Sequence, residues 1–523
     1  MTPGARFVGL DLGTSALKAV VLDEQGAVLA AARRGYRTAR PLSGRAEQQP
    51  SDWYAAVAGV CSDLPSTIRG GVMALGLTGM IPTLVTLDEA RRPVGPAVTW
   101  EDGRAQAEGE RLRGQLGADD LHRRTGQWLD GRYLLPQFRW LVENQPERAR
   151  LTRWVVGAKD LLFLWLTGQL ATDPSTATGF GAFDIHGGSW DSELCQAMGV
   201  SAGSPCRDRP GLPEVIPSSG VAPLTLAAAR QLGLPAGIPV AVGGADSVVG
   251  ALAAGANRPG AVAHLAGSST VIMGISREPR WDPDHRWIVT PLAGQPGWGL
   301  ETDLLSTGSS LAWLAEVMGA RPPGLEEILK LAYSAPLGAR GVVCLAHFGF
   351  GEQADLWDPN LMGLFANLTL DSGRADLARA LLEGIMVSTR RCVDLIGSWV
   401  GDRLEPIYCG GWGASDARFR QLLADSTQRL AIFSKPSQPG FPRGTLGAID
   451  AANLASAIGA AAIAGVGAGW SASDRGIGRR LSSRPDPSVA AEWAEVSSLN
   501  HRWRVQTGPL LSPVELGEQA AGG

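Results

Sequence analysis

Val8-Gly9-Leu10-Asp11-Leu12-Gly13-Thr14-Ser15, followed by Lys18-Ala19-Val20-Val21-Leu22, reads as a strand, a tight Gly-hydroxyl-hydroxyl turn and a second strand. Val262-Ala263-His264-Leu265-Ala266-Gly267-Ser268-Ser269, followed by Val271-Ile272-Met273, has the same layout about one domain length later. Taken singly, either stretch reads equally well as an ordinary hairpin. As a pair at this separation they point to a duplicated architecture.

The segments around the two hairpins alternate between strand and helix periodicity. Strand-like runs at 72–77 and 83–87 precede helical patterns at 105–116, 135–145 and 159–166. Pro and Gly cluster over 201–239, after which Val240-Ala241-Val242-Gly243-Gly244 reads as a buried strand running into Ala245-Asp246 and a small-residue helix. The domain boundary belongs near this point, giving expected domains 1–247 and 248–475 and a tail 476–523 with no site of its own. The second half shows helices at 374–400 and 417–427, a strand at 404–409 and an Ala-rich helix from Ala448 onward. At 523 residues the chain exceeds what one core supports, which agrees with two α/β domains.

Composition narrows the partners. Hydrophobic residues make up 45%, charged residues 19%, and the net charge is −4, so there is no broad basic field for nucleic acid. The six cysteines are scattered without metal-ligand spacing and are too few for a disulfide framework, which fits a cytoplasmic protein. The longest apolar stretch, 454–469, is dominated by Ala and Gly and reads as a buried helix, not a membrane span.

Phosphoryl transfer needs phosphate-facing donors, a metal to bridge phosphate oxygens and an acceptor for the nucleophile's proton. Gly13, Thr14 and Ser15 lie in a turn suited to an anion, and Asp11 before it is a hard oxygen ligand for Mg²⁺. Gly267, Ser268 and Ser269 supply an opposing turn. There is no G-x-x-x-x-G-K-[ST], G-x-S-x-G or H-E-x-x-H motif, which leaves the two-hairpin reading in place. Asp246 sits at a strand's carboxyl end beside a helix start. There it serves either as a base for an acceptor hydroxyl or as the cap of a helix beginning near Val248.

Taken in order, several pieces carry a family resemblance: Gly9-Leu10-Asp11-Leu12-Gly13-Thr14-Ser15; Glu47-Gln48-Gln49-Pro50 with Trp53; Trp100-Glu101-Asp102-Gly103-Arg104; and Lys159-Asp160-Leu161 with Thr172-Asp173-Pro174-Ser175. Gly243-Gly244-Ala245-Asp246-Ser247, Ala266-Gly267-Ser268-Ser269, Gly351-Glu352 with Asp358-Pro359, and Gly410-Gly411-Trp412-Gly413-Ala414-Ser415 complete the series. The chain resembles the FGGY carbohydrate kinases, xylulokinases above all, from about residue 7 to 469. That resemblance implies two actin-like ATPase (ribonuclease H-like) domains with a cleft between them, acceptor sugar on the first and ATP on the second. It makes Asp246 the catalytic base and Asp11 the organiser of Mg²⁺. Gly13, Thr14, Ser15, Gly267, Ser268 and Ser269 would line the phosphate path. Gly411, Gly413 and Ala414 would let the adenosine approach the backbone.

The resemblance also implies acceptor contacts at Glu47, Met80, Asp102, Arg104 and Asp246. Asp102 and Arg104 read alternatively as a surface turn with its own ion pair. Where xylulokinases place a Gly-Gln-Met-His-Gly segment against the sugar, this chain has Gly79-Met80-Ile81-Pro82-Thr83, so the acceptor-contacting His is replaced. Trp412 replaces the middle Gly of the adenosine motif, where an indole either stacks on the base or obstructs it. Lys18 reads as a structural strand residue turned to solvent, and His264 as a packed strand residue. The expected partners are ATP and a small sugar or polyol, most simply a ketose such as xylulose. Glycerol or ribulose is the alternative acceptor, and a nucleotide-binding regulator without transfer activity is the alternative function. Neither a membrane nor nucleic acid is expected, and a homodimer is open.

Overall fold

The first thirty-odd residues form an antiparallel meander, β1 (Arg6–Leu12), β2 (Ala16–Asp23) and β3 (Val28–Gly35). The structure is a computed structural model and describes residues 4–319, 324–349, 358, 361–400, 406–435, 454–470 and 479–507. Two parallel strands, β4 (Val72–Gly79) and β6 (Pro239–Ala245), extend the meander on its β1 side, and β5 (Val221–Pro223) closes that edge. The resulting order is β5-β6-β4-β1-β2-β3. Strand β1 is buried almost throughout, as expected for a strand covered on both faces.

The second sheet repeats the plan. Strands β7 (Val262–Ala266) and β8 (Thr270–Ser276) form the hairpin, and β9 (Ile288–Pro291) and β10 (Trp298–Leu304) extend it antiparallel. Strands β11 (Ile407–Gly411) and β12 (Ala431–Lys435) extend it parallel on the other side. Strand β13 (Arg479–Ser483) pairs antiparallel with β12, so part of the segment expected as a tail is an edge of this sheet. The order is β9-β10-β8-β7-β11-β12-β13. Hairpin and parallel neighbours occupy equivalent places in both sheets, and the two-domain actin-like α/β expectation holds.

Helix α1 (Pro50–Asp63) covers β2 and β3. Between the sheets lie α2 (Asp246–Ala254) and α6 (Ala455–Gly467). Helix α3 (Gly308–Val317) follows β10, and α4 (Arg374–Val400) and α5 (Ala417–Thr427) cover the second sheet as their periodicity predicts. The Ala- and Gly-rich sequence of α6 is a matter of distance. A Cβ on Gly9 of β1 would lie 1.8 Å from the Ala457 carbonyl oxygen, and one on Gly76 of β4 would lie 2.0 Å from that of Ala460. Only glycine lets this helix sit on the sheet at backbone contact. Among the described residues no helix is long and apolar enough to cross a membrane. Residues 351, 352 and 359 of the resemblance, and 448–453 of the expected last helix, lie outside the described residues.

Candidate active site

Both hairpin turns face one cleft of about 290 Å³, together with the start of α2 and one face of β10. The first turn is held by side chains from three elements. The Tyr36 hydroxyl donates to the Gly13 carbonyl, Gln48 Nε2 to the Thr14 carbonyl at 2.7 Å, and Trp100 Nε1 to Thr14 Oγ1 at 3.0 Å. Gln48 is itself oriented by Trp53, whose indole N–H reaches Gln48 Oε1 at 2.9 Å. The second turn is closed by the Gly267 N–H on the Ser269 carbonyl at 2.7 Å. The N–H groups of Thr307 and Ser309, at the start of α3, hold the Ser268 carbonyl at 3.0 and 3.2 Å.

Asp246 is the first residue of α2, not a residue outside it. The cap position is Ala245, with no side-chain capping bond, so the capping reading is set aside. Asp246 is fixed by the backbone before it. Gly243 has φ +74°, and a Cβ there would lie 1.5 Å from the Leu77 carbonyl oxygen; the pairing of β6 with β4 slips at this point, the signature of a glycine bulge that re-aims the next residues of the strand. Fully buried Lys159 donates to the Val242 carbonyl at 3.0 Å and pairs with Asp160 and Asp173 at 3.1 and 3.2 Å. Thr78 Oγ1 donates to the Gly244 carbonyl at 2.8 Å, and the Ala245 N–H donates to Ser175 Oγ at 3.0 Å. The Lys-Asp and Thr-Asp-Pro-Ser pieces of the resemblance thus hold the strand that carries Asp246.

Charge is concentrated here. The cleft is lined by Asp11, Asp246, Glu301 and Asp303, against Lys18 and Arg132. Burial, reinforced by the Asp11 carboxylate, pushes the Asp246 carboxyl up to about 7, while Lys18 and the Ser247 N–H pull the other way. Burial and the neighbouring Asp303 hold the Glu301 carboxyl well above the ordinary carboxylate range. Asp11 Oδ2 accepts from Lys18 Nζ at 3.1 Å, and its Oδ1 is buried without a partner.

The expected site residues divide. Asp11, Gly13, Thr14, Ser15, Met80, Asp246, Gly267, Ser268, Ser269 and Gly411 line the cleft. Gly411 has φ +85°, and a Cβ on it would lie 1.8 Å from the Ala266 carbonyl oxygen. Gly413 and Ala414 stand behind it, Gly413 against the Phe419 ring and Ala414 accepting from Arg420 Nη1 at 2.7 Å. Glu47, Asp102 and Arg104 do not line the cleft. Asp102 accepts from the Ala46 N–H at 2.6 Å and from Arg104 Nε and Nη2 at 2.8 and 2.7 Å, and the same Nη2 reaches Glu47 Oε1 at 2.7 Å. They form a buried ion-pair cluster, which is the ion-pair alternative moved from the surface to the interior.

Trp412 neither lies open to a base nor blocks the cleft. Its indole N–H donates to the Gly267 carbonyl at 2.7 Å and its ring meets Phe419 edge-on at 5.0 Å, so it braces the second turn from behind. His264 is buried in its strand, as expected. Lys18 is corrected: it lies in the cleft on Asp11 instead of facing open solvent. The signal was available, because a hairpin closed at Gly13–Ser15 sets Asp11 opposite Lys18 in register. Gln127, Arg132, Tyr133, Glu301 and Asp303 also line the cleft and were not singled out. Tyr133 donates to Gln127 Oε1 at 3.0 Å, and Gln127 Nε2 crosses to the Val289 carbonyl of the second sheet at 3.0 Å.

Comparison with known proteins finds matches along most of the chain. Family models for the N-terminal and C-terminal domains of the FGGY family of carbohydrate kinases match residues 6–253 and 262–456. A xylulose kinase of Lactococcus lactis is 29% identical over 423 residues, covering 80% of this chain and 82% of the relative. A glycerol kinase of Gloeobacter violaceus is 30% identical over 426 residues, covering 80% and 82%. Among solved structures, a xylulose kinase from Rhodospirillum rubrum superposes with a TM-score of 0.81 at 26% identity over 97% of this chain and 99% of that one. A gluconate kinase from Lactobacillus acidophilus gives a TM-score of 0.83 at 23% identity over 97% and 98%.

Proposed function

Because the chain belongs to the FGGY family of carbohydrate kinases, we propose that it transfers the γ-phosphoryl group of ATP to a hydroxyl of a ketose or related polyol, xylulose or another pentulose being the simplest acceptor. The observation that carries this reading is the convergence of both hairpin turns on Asp246 in one cleft. The acceptor lies against the first domain (1–247) and the nucleotide against the second (248–475). The acceptor oxygen attacks the γ-phosphorus in line, its proton passes to an Asp246 carboxylate oxygen, and the bond to the β-phosphate oxygen breaks to release ADP. The turns at Gly13, Thr14, Ser15 and Gly267, Ser268, Ser269 give N–H and O–H donors to the phosphate oxygens, and Gly411 lets the adenosine approach the backbone at the cleft wall, with Gly413 and Ala414 packed behind it.

Asp11 fits Mg²⁺, since its Oδ1 is buried without a partner. One protein carboxylate suits an ion that takes most of its shell from water and phosphate. When bound, the ion neutralises phosphate charge. Lys18 donates to the other oxygen, Oδ2, and keeps it occupied. Closure of the cleft excludes water and so favours transfer over ATP hydrolysis.

The relatives are named for xylulose, glycerol and gluconate, so the acceptor is identified by assay. ADP release is followed with Mg²⁺ and ATP against pentuloses, hexuloses, pentitols, glycerol and aldonic acids, with Asp246→Asn alongside. Acceptor-dependent ADP formation that collapses in Asp246→Asn supports the reading. ATP binding without stimulation by any acceptor returns weight to a regulator on the same fold.

A further inference from the structure

Strand β10 carries Glu301 and Asp303 two residues apart, so their side chains leave the same face. That face looks into the cleft, and both residues line it, with Ile288 opposite Glu301 and Val271 opposite Asp303 in the neighbouring strands. Glu301 is tied to the first turn of α2, where Ser247 Oγ donates to Glu301 Oε2 at 3.2 Å, next to Asp246. Across the cleft stand Arg132 and Tyr133 of the first domain. Arg132 is already paired with Asp130 and lies within the field of Asp303. The chamber beside Asp246 is therefore walled by both domains, and its carboxyl groups Asp11, Asp246, Glu301 and Asp303 outnumber the cations Lys18 and Arg132.

We propose that Glu301 and Asp303 bind the acceptor from the second domain and make the site selective for uncharged polyhydroxy compounds over sugar acids and sugar phosphates. This rests on the kinase reading of the cleft. Carboxyl groups are suited to hydroxyl-rich partners because each oxygen accepts from a hydroxyl. An acceptor bearing a carboxylate or phosphate presents oxygens that only accept, so it leaves carboxyl oxygens of this wall facing other acceptors without the hydroxyl donors that a polyol supplies.

The test uses the full chain as wild type, Glu301→Gln and Asp303→Asn, near-isosteric changes whose folding is checked by thermal melting. Turnover is measured with D-xylulose, glycerol and gluconate, and calorimetric titration of the same compounds runs beside it. For the wild type, kcat/KM for the better neutral acceptor exceeds that for gluconate by at least about 100-fold. Each variant narrows that ratio by about tenfold or more, chiefly by raising KM for the neutral acceptor while KM for ATP stays put. A wild type that prefers gluconate overturns the proposal, as do folded variants with unchanged acceptor KM and unchanged ratio. If no compound turns over, the kinase reading fails separately. Titration then decides this one: binding of a neutral compound that both variants weaken sustains it, and binding that neither alters, or none at all, ends it.

Discussion

Replacing Asp246 by Asn separates its chemical role from its electrostatic cost. The carboxyl is moved from its ordinary 3.8 to about 7 by burial and by Asp11. At about 1.4 kcal/mol per tenfold change in proton affinity, that shift is worth roughly 4 kcal/mol against the folded state, and access of cleft water reduces it to about 2. Below pH 3.8 both folded and unfolded forms are protonated and the term vanishes. Between 3.8 and about 7 the unfolded chain ionises while the folded site holds its proton, so stability falls as pH rises, and the cost is complete above 7. Asp246→Asn removes that cost. Its apparent melting temperature at pH 8 is expected to exceed that of the wild type by about 3 °C, a gain that shrinks toward pH 5. Its kcat is expected to fall by about 10²- to 10⁴-fold, the usual share of a general base. The wild-type kcat/KM, which reports the free enzyme, rises with pH through about 7. A flat profile from pH 6 to 8.5, or an Asn variant with near-normal kcat, refutes the assignment.

Lys18→Met removes the cation that eases ionisation of Asp246, so the rise of kcat/KM with pH should move upward by about one pH unit, read from initial rates across pH. Trp412→Phe keeps an aromatic ring against Phe419 but deletes the indole bond to the Gly267 carbonyl. Loss of about 1 kcal/mol of bracing in the second turn should raise KM for ATP by about fivefold without altering acceptor KM. Asp102→Asn leaves the buried Arg104 guanidinium short of charge, so denaturant unfolding should show a loss of about 3 kcal/mol. Acceptor KM in the folded variant should change little, whereas a direct acceptor contact would raise it steeply.

Much of the fold was readable in the linear chain because its signals are local. A Gly-hydroxyl turn between β-periodic runs, given twice, determines two hairpins, and the runs at 374–400 and 417–427 coincide with α4 and α5. The position of Asp246 was equally legible, since strand, Gly-Gly, Asp and helix succeed one another without interruption. Tertiary structure alone decided which polar groups satisfy one another. Glu47, Asp102 and Arg104 carry the composition of a sugar site, yet they close on each other because a buried charge is stable only when paired. Trp412 occupies a binding motif but spends its N–H on Gly267, 145 residues away in sequence. Glu301 and Asp303 carry no motif, and Arg132 no unusual spacing. They reach the cleft only because a strand of one domain faces a loop of the other, an encounter made by packing across the chain and invisible to any local pattern.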